Sequence, residues 1–302
     1  MTTFDHILVP LDGSRLAEDI LGPASYFCLR LSARMTLLHV VEEYAPHTVH
    51  GERHLATSAE AAAYLDAIAA GLRSTGVIVD SHVHERSVGD VAAAIDTHAH
   101  EFDADLIAMC KHGRSGFRQK LVVGSIAQQI LRAGGTPILL TMPRATREHE
   151  PFSVRRMLIP LDSHHDAASA LATAADLCRA FDASADLLTA VPSLAEARKK
   201  ETPAARLLPS AAAAQLRMER DDATQSLETH AQVLADAGIV TRLETRDEDP
   251  SEAILKQAVA SQSDLIVLTT HARAGFGAWY TGSTGYRVIT EAKQTLLLLR
   301  EL

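Results

Sequence analysis

The chain says the same thing twice. Val9-Pro10-Leu11-Asp12 returns as Ile159-Pro160-Leu161-Asp162, Asp105-Leu106-Ile107 returns as Asp264-Leu265-Ile266, and Gly124-Ser125 returns as Gly282-Ser283. A repeat spanning half the sequence is a whole domain, far longer than a solenoid unit. The fold must therefore be one that 302 residues can build twice, and a 47% apolar content supplies two cores.

Within the first copy, short apolar runs alternate with amphipathic stretches. Residues 6–10, 35–41, 77–84, 105–110 and 136–141 read as strands, and 16–31, 57–74, 91–101 and 125–132 as helices. Uninterrupted runs such as Ile7-Leu8-Val9 suit a parallel sheet covered on both faces. Strands alternating with helices imply right-handed crossovers, hence an α/β fold. Thr57 with Glu60 matches a capping box, and Gly76 marks the stop of that helix. Asp12 and Asp162 are 150 residues apart, whereas Gly76 and Gly238 are 162 apart. The second copy thus carries about twelve extra residues between its second and third strands, around 194–210, read as a surface loop. A polar stretch between Pro143 and Phe152 separates domains 1–145 and 152–302, and so short a tether implies docked domains.

A net charge of −9 argues against a nucleic-acid partner. No apolar run approaches the ~20 residues that a membrane-spanning helix requires. The first residues carry neither the basic nor the apolar segment of a secretory signal, so a cytoplasmic location is expected. Cys28, Cys110 and Cys178 cannot make a disulfide framework, and Cys28 and Cys178, at equivalent helical positions, read as small buried hydrophobes. The fifteen histidines include His82-x-His84 on one strand face, His164-His165, and His47, His50 and His54. No third converging ligand is readable, so no metal site is expected. His39 reads as a packed or capped histidine. Neither a nucleophile elbow nor a Gly-x4-Gly-Lys-Ser/Thr loop is present.

Open parallel sheets bind ligands beyond the C-terminal ends of their strands. Two elements converge there: Asp12 after strand one, with Asp162 its counterpart, and the segment from Cys110 through Gly113, Arg114 and Gly116 to Gly124-Ser125 at a helix start. Glycines admit phosphate oxygens to the backbone, and a helix N-terminus offers unpaired N–H groups. Asp12 would accept hydrogen bonds from a nucleoside but repel phosphates, which then belong on the glycine loop. Lys111, Arg114, Arg118 and Lys120 make that loop basic, a candidate phosphate-attracting rim.

These features together resemble tandem members of the universal stress protein family, over about residues 4–142 and 154–300. The resemblance implies two Rossmann-like (adenine nucleotide alpha hydrolase-like) domains. Each would hold a five-stranded parallel sheet of order 3-2-1-4-5, with the two fifth strands pairing inside one chain. A further homodimer is compatible with it. It also implies a stress-response binding or signalling protein. Many members hold ATP through the Asp after strand one and a Gly-x2-Gly-x9-Gly-Ser/Thr motif, and some hydrolyse it slowly. Mapped here, the first copy reads Cys110, Gly113 and Gly124-Ser125, with ten residues instead of nine before the final pair. The second reads Thr269, Ala272 and Gly282-Ser283. Neither motif is complete, and Ala272 adds an obstruction that the first copy lacks. The expectation is therefore ATP, with or without Mg²⁺, mainly in domain 1, on Asp12, Val41, Cys110, Gly113, Arg114, Gly124 and Ser125. Asp162, Ala272, Gly282 and Ser283 form the weaker counterpart. Degenerate pockets that serve only protein interaction, or a slow ATPase, are the alternatives.

Overall fold

Ten strands join into one continuous sheet in a computed structural model that describes residues 4–43, 48–49, 52–53, 55–111, 124–133, 135–143, 151–162, 167–193, 209–271 and 283–301. The first half contributes β1 (His6–Pro10), β2 (Arg34–Glu42), β5 (Ile78–Val88), β6 (Leu106–Cys110) and β7 (Ile138–Thr141). The second contributes β8 (Arg156–Pro160), β9 (Ser184–Ala190), β10 (Thr241–Arg246), β11 (Leu265–His271) and β12 (Thr295–Glu301). The sheet order is β10-β9-β8-β11-β12-β7-β6-β1-β2-β5. Each half therefore runs 3-2-1-4-5 in its own count, with parallel pairing throughout. A small hairpin of β3 (Thr48–Val49) and β4 (Glu52–Arg53), unannounced by the sequence pattern, lies apart.

The helices between are α1 (Arg15–Glu18), α2 (Leu21–Leu31), α3 (Ser58–Ser74), α4 (Val91–Glu101), α5 (Ser125–Ala133), α6 (Ala168–Phe181), α7 (Pro209–Asp236), α8 (Pro250–Ala260) and α9 (Thr284–Glu291). The expected helix 16–31 is broken at Asp19–Ile20. Pro23 stands in the first turn of α2 and has no N–H to return to the carbonyl of Asp19, so one continuous ladder cannot pass that point. Thr57 caps α3 by accepting from Glu60 N at 3.2 Å, as its spacing predicts. The extra length of the second copy falls on 194–208, outside the described residues, and on the N-terminal end of the 28-residue α7.

The repeated Asp-Leu-Ile has a structural cause. Asp105 accepts from Asp5 N at 2.7 Å and His6 N at 3.1 Å, pinning the start of β1 to that of β6. Asp264 does the same for Arg155 N and Arg156 N at 2.8 and 3.0 Å. These are charge-assisted bonds to backbone donors, the stronger kind. They lie at the N-terminal edge of each half, away from the Asp12 and Asp162 turns.

The halves meet where β7 and β12 pair antiparallel, with Ile138 opposite Leu298, Leu139 opposite Leu297 and Leu140 opposite Leu296. All six are at most 1% exposed. Each face of the joined sheet carries an apolar core that runs across both halves. On one face α2 meets α6 through aromatic rings: Phe181 lies 4.9 Å from Phe27 and 5.0 Å from Tyr26, and Phe152 of the linker lies 5.5 Å from Tyr26. Cys28 and Cys178 are buried beside these rings, and burial pushes both thiols up to about 12. The free sheet edges, β5 and β10, carry Asp80, Glu85, Arg242 and Glu244, which discourage pairing with another chain. Phe181→Ala should cost about 3–5 kcal/mol by urea unfolding, the range for emptying a core aromatic site. Because the cores are shared, the loss should shift one transition for the whole chain and leave no intact half.

Candidate functional site

In the first half, β1 ends in a turn that its neighbours hold rigidly. Leu11 N donates to Leu38 O at 2.8 Å, and His39, 2% exposed, donates from Nδ1 to Leu11 O at 2.8 Å. His39 is thus the capped histidine its position in β2 suggested. Asp12 follows, and its Oδ1 accepts from both Ser14 N (2.9 Å) and Ser14 Oγ (2.6 Å). Gly13 has φ +86°, and a Cβ there would approach Leu55 to 2.8 Å, so the turn requires glycine. Ser14 then caps α1 by accepting from Ala17 N.

Carboxylates surround this turn. Glu52 of β4 accepts from Arg15 N at 2.6 Å and pairs with Arg15 Nε at 3.3 Å. Tyr64 donates to Glu18 at 3.2 Å. Burial, then the charges of Glu18, Asp12 and Glu52, raise the Tyr64 hydroxyl above its ordinary range. Hydroxyl and amine donors suit such a surface, and phosphate does not.

Across the gap, β6 ends at Cys110. Its Sγ lies 3.6 Å from Ala17 O, and burial, aided by Asp19 and Asp12, raises the thiol well above its ordinary value. The side chain standing at the first-glycine position therefore bridges β6 to α1. Gly124 is buried at the start of α5, and its N donates to Lys111 O at 2.8 Å. Ser125, the first residue of α5, is exposed. Val41 is buried near the end of β2 at 6% exposure. Gly113 and Arg114, with Arg118 and Lys120, lie outside the described residues.

Lys111 is not part of a phosphate rim. It is 1% exposed, and its Nζ donates to Ala292 O in the second half at 2.6 Å. The sequence made it one more loop cation. The structure turns it the other way: the whole side chain is buried, and its amine reaches a helix end in the second half.

The second half repeats the frame without the same chemistry. Asp162 is exposed beyond β8, while Ala272 and Gly282 lie outside the described residues. Ser283 caps α9, accepting from Tyr286 N at 3.2 Å, and so already occupies one amide of that helix start. The nearby start of α8 is acidic. Asp249, Glu252 and Glu291 gather around Arg287 at 3.6, 3.5 and 3.1 Å, and Glu248 and Glu252 hold Lys256. Position 129, the counterpart of Arg287, is glutamine.

The family model for the universal stress protein family matches residues 3–141 and again 153–300. The chain belongs to the universal stress protein family. A universal stress protein from Archaeoglobus fulgidus DSM 4304 matches with a TM-score of 0.71 at 16% identity, over 99% of each chain. A functionally unknown protein from Pseudomonas aeruginosa PAO1 matches at 0.67 and 18%, over 98% of this chain and 92% of that one. The cytoplasmic domain of a prokaryotic cation chloride cotransporter matches at 0.53 and 13%, over 98% and 95%. No curated protein sequence matches significantly. These likenesses establish a tandem universal stress protein fold. Among the described residues no helix is long and apolar enough to cross a membrane.

Other features of this universal stress protein lie away from the glycine segments. His84 Nδ1 is 2.8 Å from His98 Nε2, His98 Nδ1 is 2.8 Å from Glu101, and the His82 ring packs 4.8 Å from His98. The strand pair read from the sequence thus gains two neighbours from α4. Even so, among the described residues no group of three or more His, Cys, Asp or Glu is placed to hold a metal ion. His47, His50, His54, His164 and His165 lie outside the described residues. A cleft of about 390 Å³ between the halves, lined by Phe4, His100, Asp105, Ser169 and Arg300 among others, contains none of the residues expected to bind nucleotide.

Burial lowers Lys111 from 10.5 to about 8. Between these values the unfolded lysine is protonated and the folded one is not, so the unfolded state binds more protons and stability rises with pH. Wild-type unfolding free energy should therefore climb relative to that of Lys111→Met between pH 8 and 10.5. The full excursion is roughly 3 kcal/mol. Denaturant titrations of both proteins at several pH values measure it, and parallel curves would contradict the assignment.

Proposed function

We propose that this universal stress protein is a nucleotide-responsive stress or signalling protein that binds an adenine nucleotide, ATP with or without Mg²⁺, in its first half. The observation carrying the reading is the split chemistry beyond two adjacent strands. An acidic turn of Asp12, Glu18 and Glu52 follows β1, and just past the neighbouring β6 the Lys111 carbonyl holds buried Gly124 at the N-terminus of α5. A nucleoside offers hydroxyl and amine donors to the first, and phosphates take backbone amides at the second. Gly113, Arg114, Gly124 and Ser125 would hold the phosphates, Asp12 the ribose or base, and Val41 the wall beneath it. Phosphate contacts would order the glycine segment, and a partner could read the difference between bound and free forms.

The second half is the weaker site. Ser283 occupies one of its helix-start amides, and the acids around Arg287 set a field unfavourable to phosphate. Asp162, Ala272, Gly282 and Ser283 keep the frame of a pocket in which ATP would bind poorly.

The Cys110 contact favours a second reading, an interaction protein whose pockets no longer admit nucleotide. The two readings part on measurement. Under the first, millimolar ATP raises the melting midpoint, and Gly124→Val abolishes that rise. Under the first also, Cys110→Gly should tighten ATP binding by about tenfold, because a glycine there restores the first position of the motif and removes the Cβ from the backbone approach. Calorimetry showing no heat from either wild type or Cys110→Gly would leave only the interaction protein.

A further inference from the structure

A half-buried guanidinium lines the cleft between the halves, and among the described residues no carboxylate pairs with it. Arg300, near the end of β12, donates from Nη2 to Leu131 O at 2.6 Å and Ile130 O at 3.2 Å in the last turn of α5. Helix C-termini leave carbonyls without partners, so these bonds hold the guanidinium in place without cancelling its charge. Its Nε and Nη1 make no hydrogen bond to any described residue. Burial lowers the proton affinity of Arg300, and Asp96 opposes that only through space. A cation drawn partly out of water is ordinarily answered by an anion.

The remaining walls suit the same ligand. The cleft of about 390 Å³ has an apolar side made by Phe4, Ala104, Pro137 and Leu299. Thr136, Ser169 and Thr173 add hydroxyl groups that bond to no described residue. The one acid in the lining, Asp105, already accepts from Asp5 N and His6 N. Phe4, Asp105 and Thr136 belong to the first half, and Ser169, Thr173 and Arg300 to the second. The cleft is therefore a product of the antiparallel junction, which sets the end of β12 beside the start of β7.

The pseudo-symmetric place in the molecule lacks this chemistry. By the register of β7 on β6 and of β12 on β11, the counterpart of Arg300 is Met142. At the 150-residue spacing of Asp12 and Asp162, Ser169 and Thr173 correspond to Asp19 and Pro23. The frame is thus completed in the first half without a cation and without either hydroxyl. Stability alone does not account for Arg300.

We propose that the cleft between the halves is a binding site for a small organic anion. A carboxylate or phosphate group would take the guanidinium of Arg300, with Ser169 and Thr173 donating beside it, and a compact apolar body would lie against Phe4 and Pro137. Hydrogen bonds between an ionised donor and an oxyanion are the strong kind, and an arginine keeps its charge at any physiological pH. This site shares no residue with the nucleotide pocket and stands independently of it.

Benzoate, phenyl phosphate and neutral benzamide are added at millimolar concentration to the full-length protein, with binding followed by calorimetry and by the melting midpoint. One or both anions should bind and raise the midpoint while benzamide does not, and the anion preferred tells carboxylate from phosphate. Arg300→Gln should weaken that binding by about tenfold or more, the loss of one charge-assisted contact. Ser169→Asp installs, at an exposed position, the residue that the first half carries there. It should abolish binding with the fold intact, and it decides alone should Arg300→Gln not fold. Gly124→Val should leave the anion response unchanged. The proposal fails if neither anion binds, if benzamide binds equally well, or if binding survives both Arg300→Gln and Ser169→Asp. A response lost in Gly124→Val and kept in the cleft variants assigns the anion to the nucleotide pocket and overturns the cleft site.

Discussion

The antiparallel pairing of β7 with β12 is the contact on which the rest of the structure depends. Each strand alone would be a bare hydrophobic edge, leucine-rich and with unpaired backbone groups. Joined, they become the middle of a ten-stranded sheet whose cores continue from one half to the other. The antiparallel sense also sets the geography. It brings the C-terminal edge of one half beside the N-terminal edge of the other. For that reason Lys111, just past β6, meets the end of α9, and Arg300, near the end of β12, meets the end of α5. Parallel pairing would have set the two glycine segments side by side and removed both reaches.

Within this frame the two copies have diverged in chemistry more than in shape. Both keep the aspartate that clamps the first strand and the serine at the start of the last helix. The first keeps Gly113 and Gly124 and surrounds its strand-one turn with carboxylates. The second has Ala272, a self-capped helix start, and an acid cluster around Arg287. Backbone architecture tolerates such drift because it is fixed by apolar burial and strand pairing. A phosphate site depends on a few amides and the absence of a few Cβ atoms.

Apolar periodicity and capping are local signals, and they foretold the helix from Val91 to Glu101 and the Thr57 cap, whereas the strand order and the junction of the fifth strands followed from the family resemblance. The break between α1 and α2 was legible in principle, since Pro23 forbids an uninterrupted helix, but the apolar stripe of Ile20, Ala24 and Phe27 masked it. The hairpin of β3 and β4 has strands of two residues each, too short for a period to show. Lys111 was misread for another reason. Next to Arg114, Arg118 and Lys120 it looked like a fourth loop cation, and only the fold reveals that its neighbour is Ala292, 181 positions away. The partners that α4 brings to His82 and His84 were hidden in the same way: the pattern placed the pair on one strand but could not say which helix covers it.

Leu296-Leu297-Leu298-Leu299 gives the second half a duty independent of any ligand. Were that half cut away, β7 would keep β6 but open its other edge to water, and the remaining fragment would aggregate or seek another copy of itself. A lost pocket is therefore no route to a lost domain. The degenerate half is held in place by insolubility, and its recognition chemistry can erode or be rewritten while its outline is preserved.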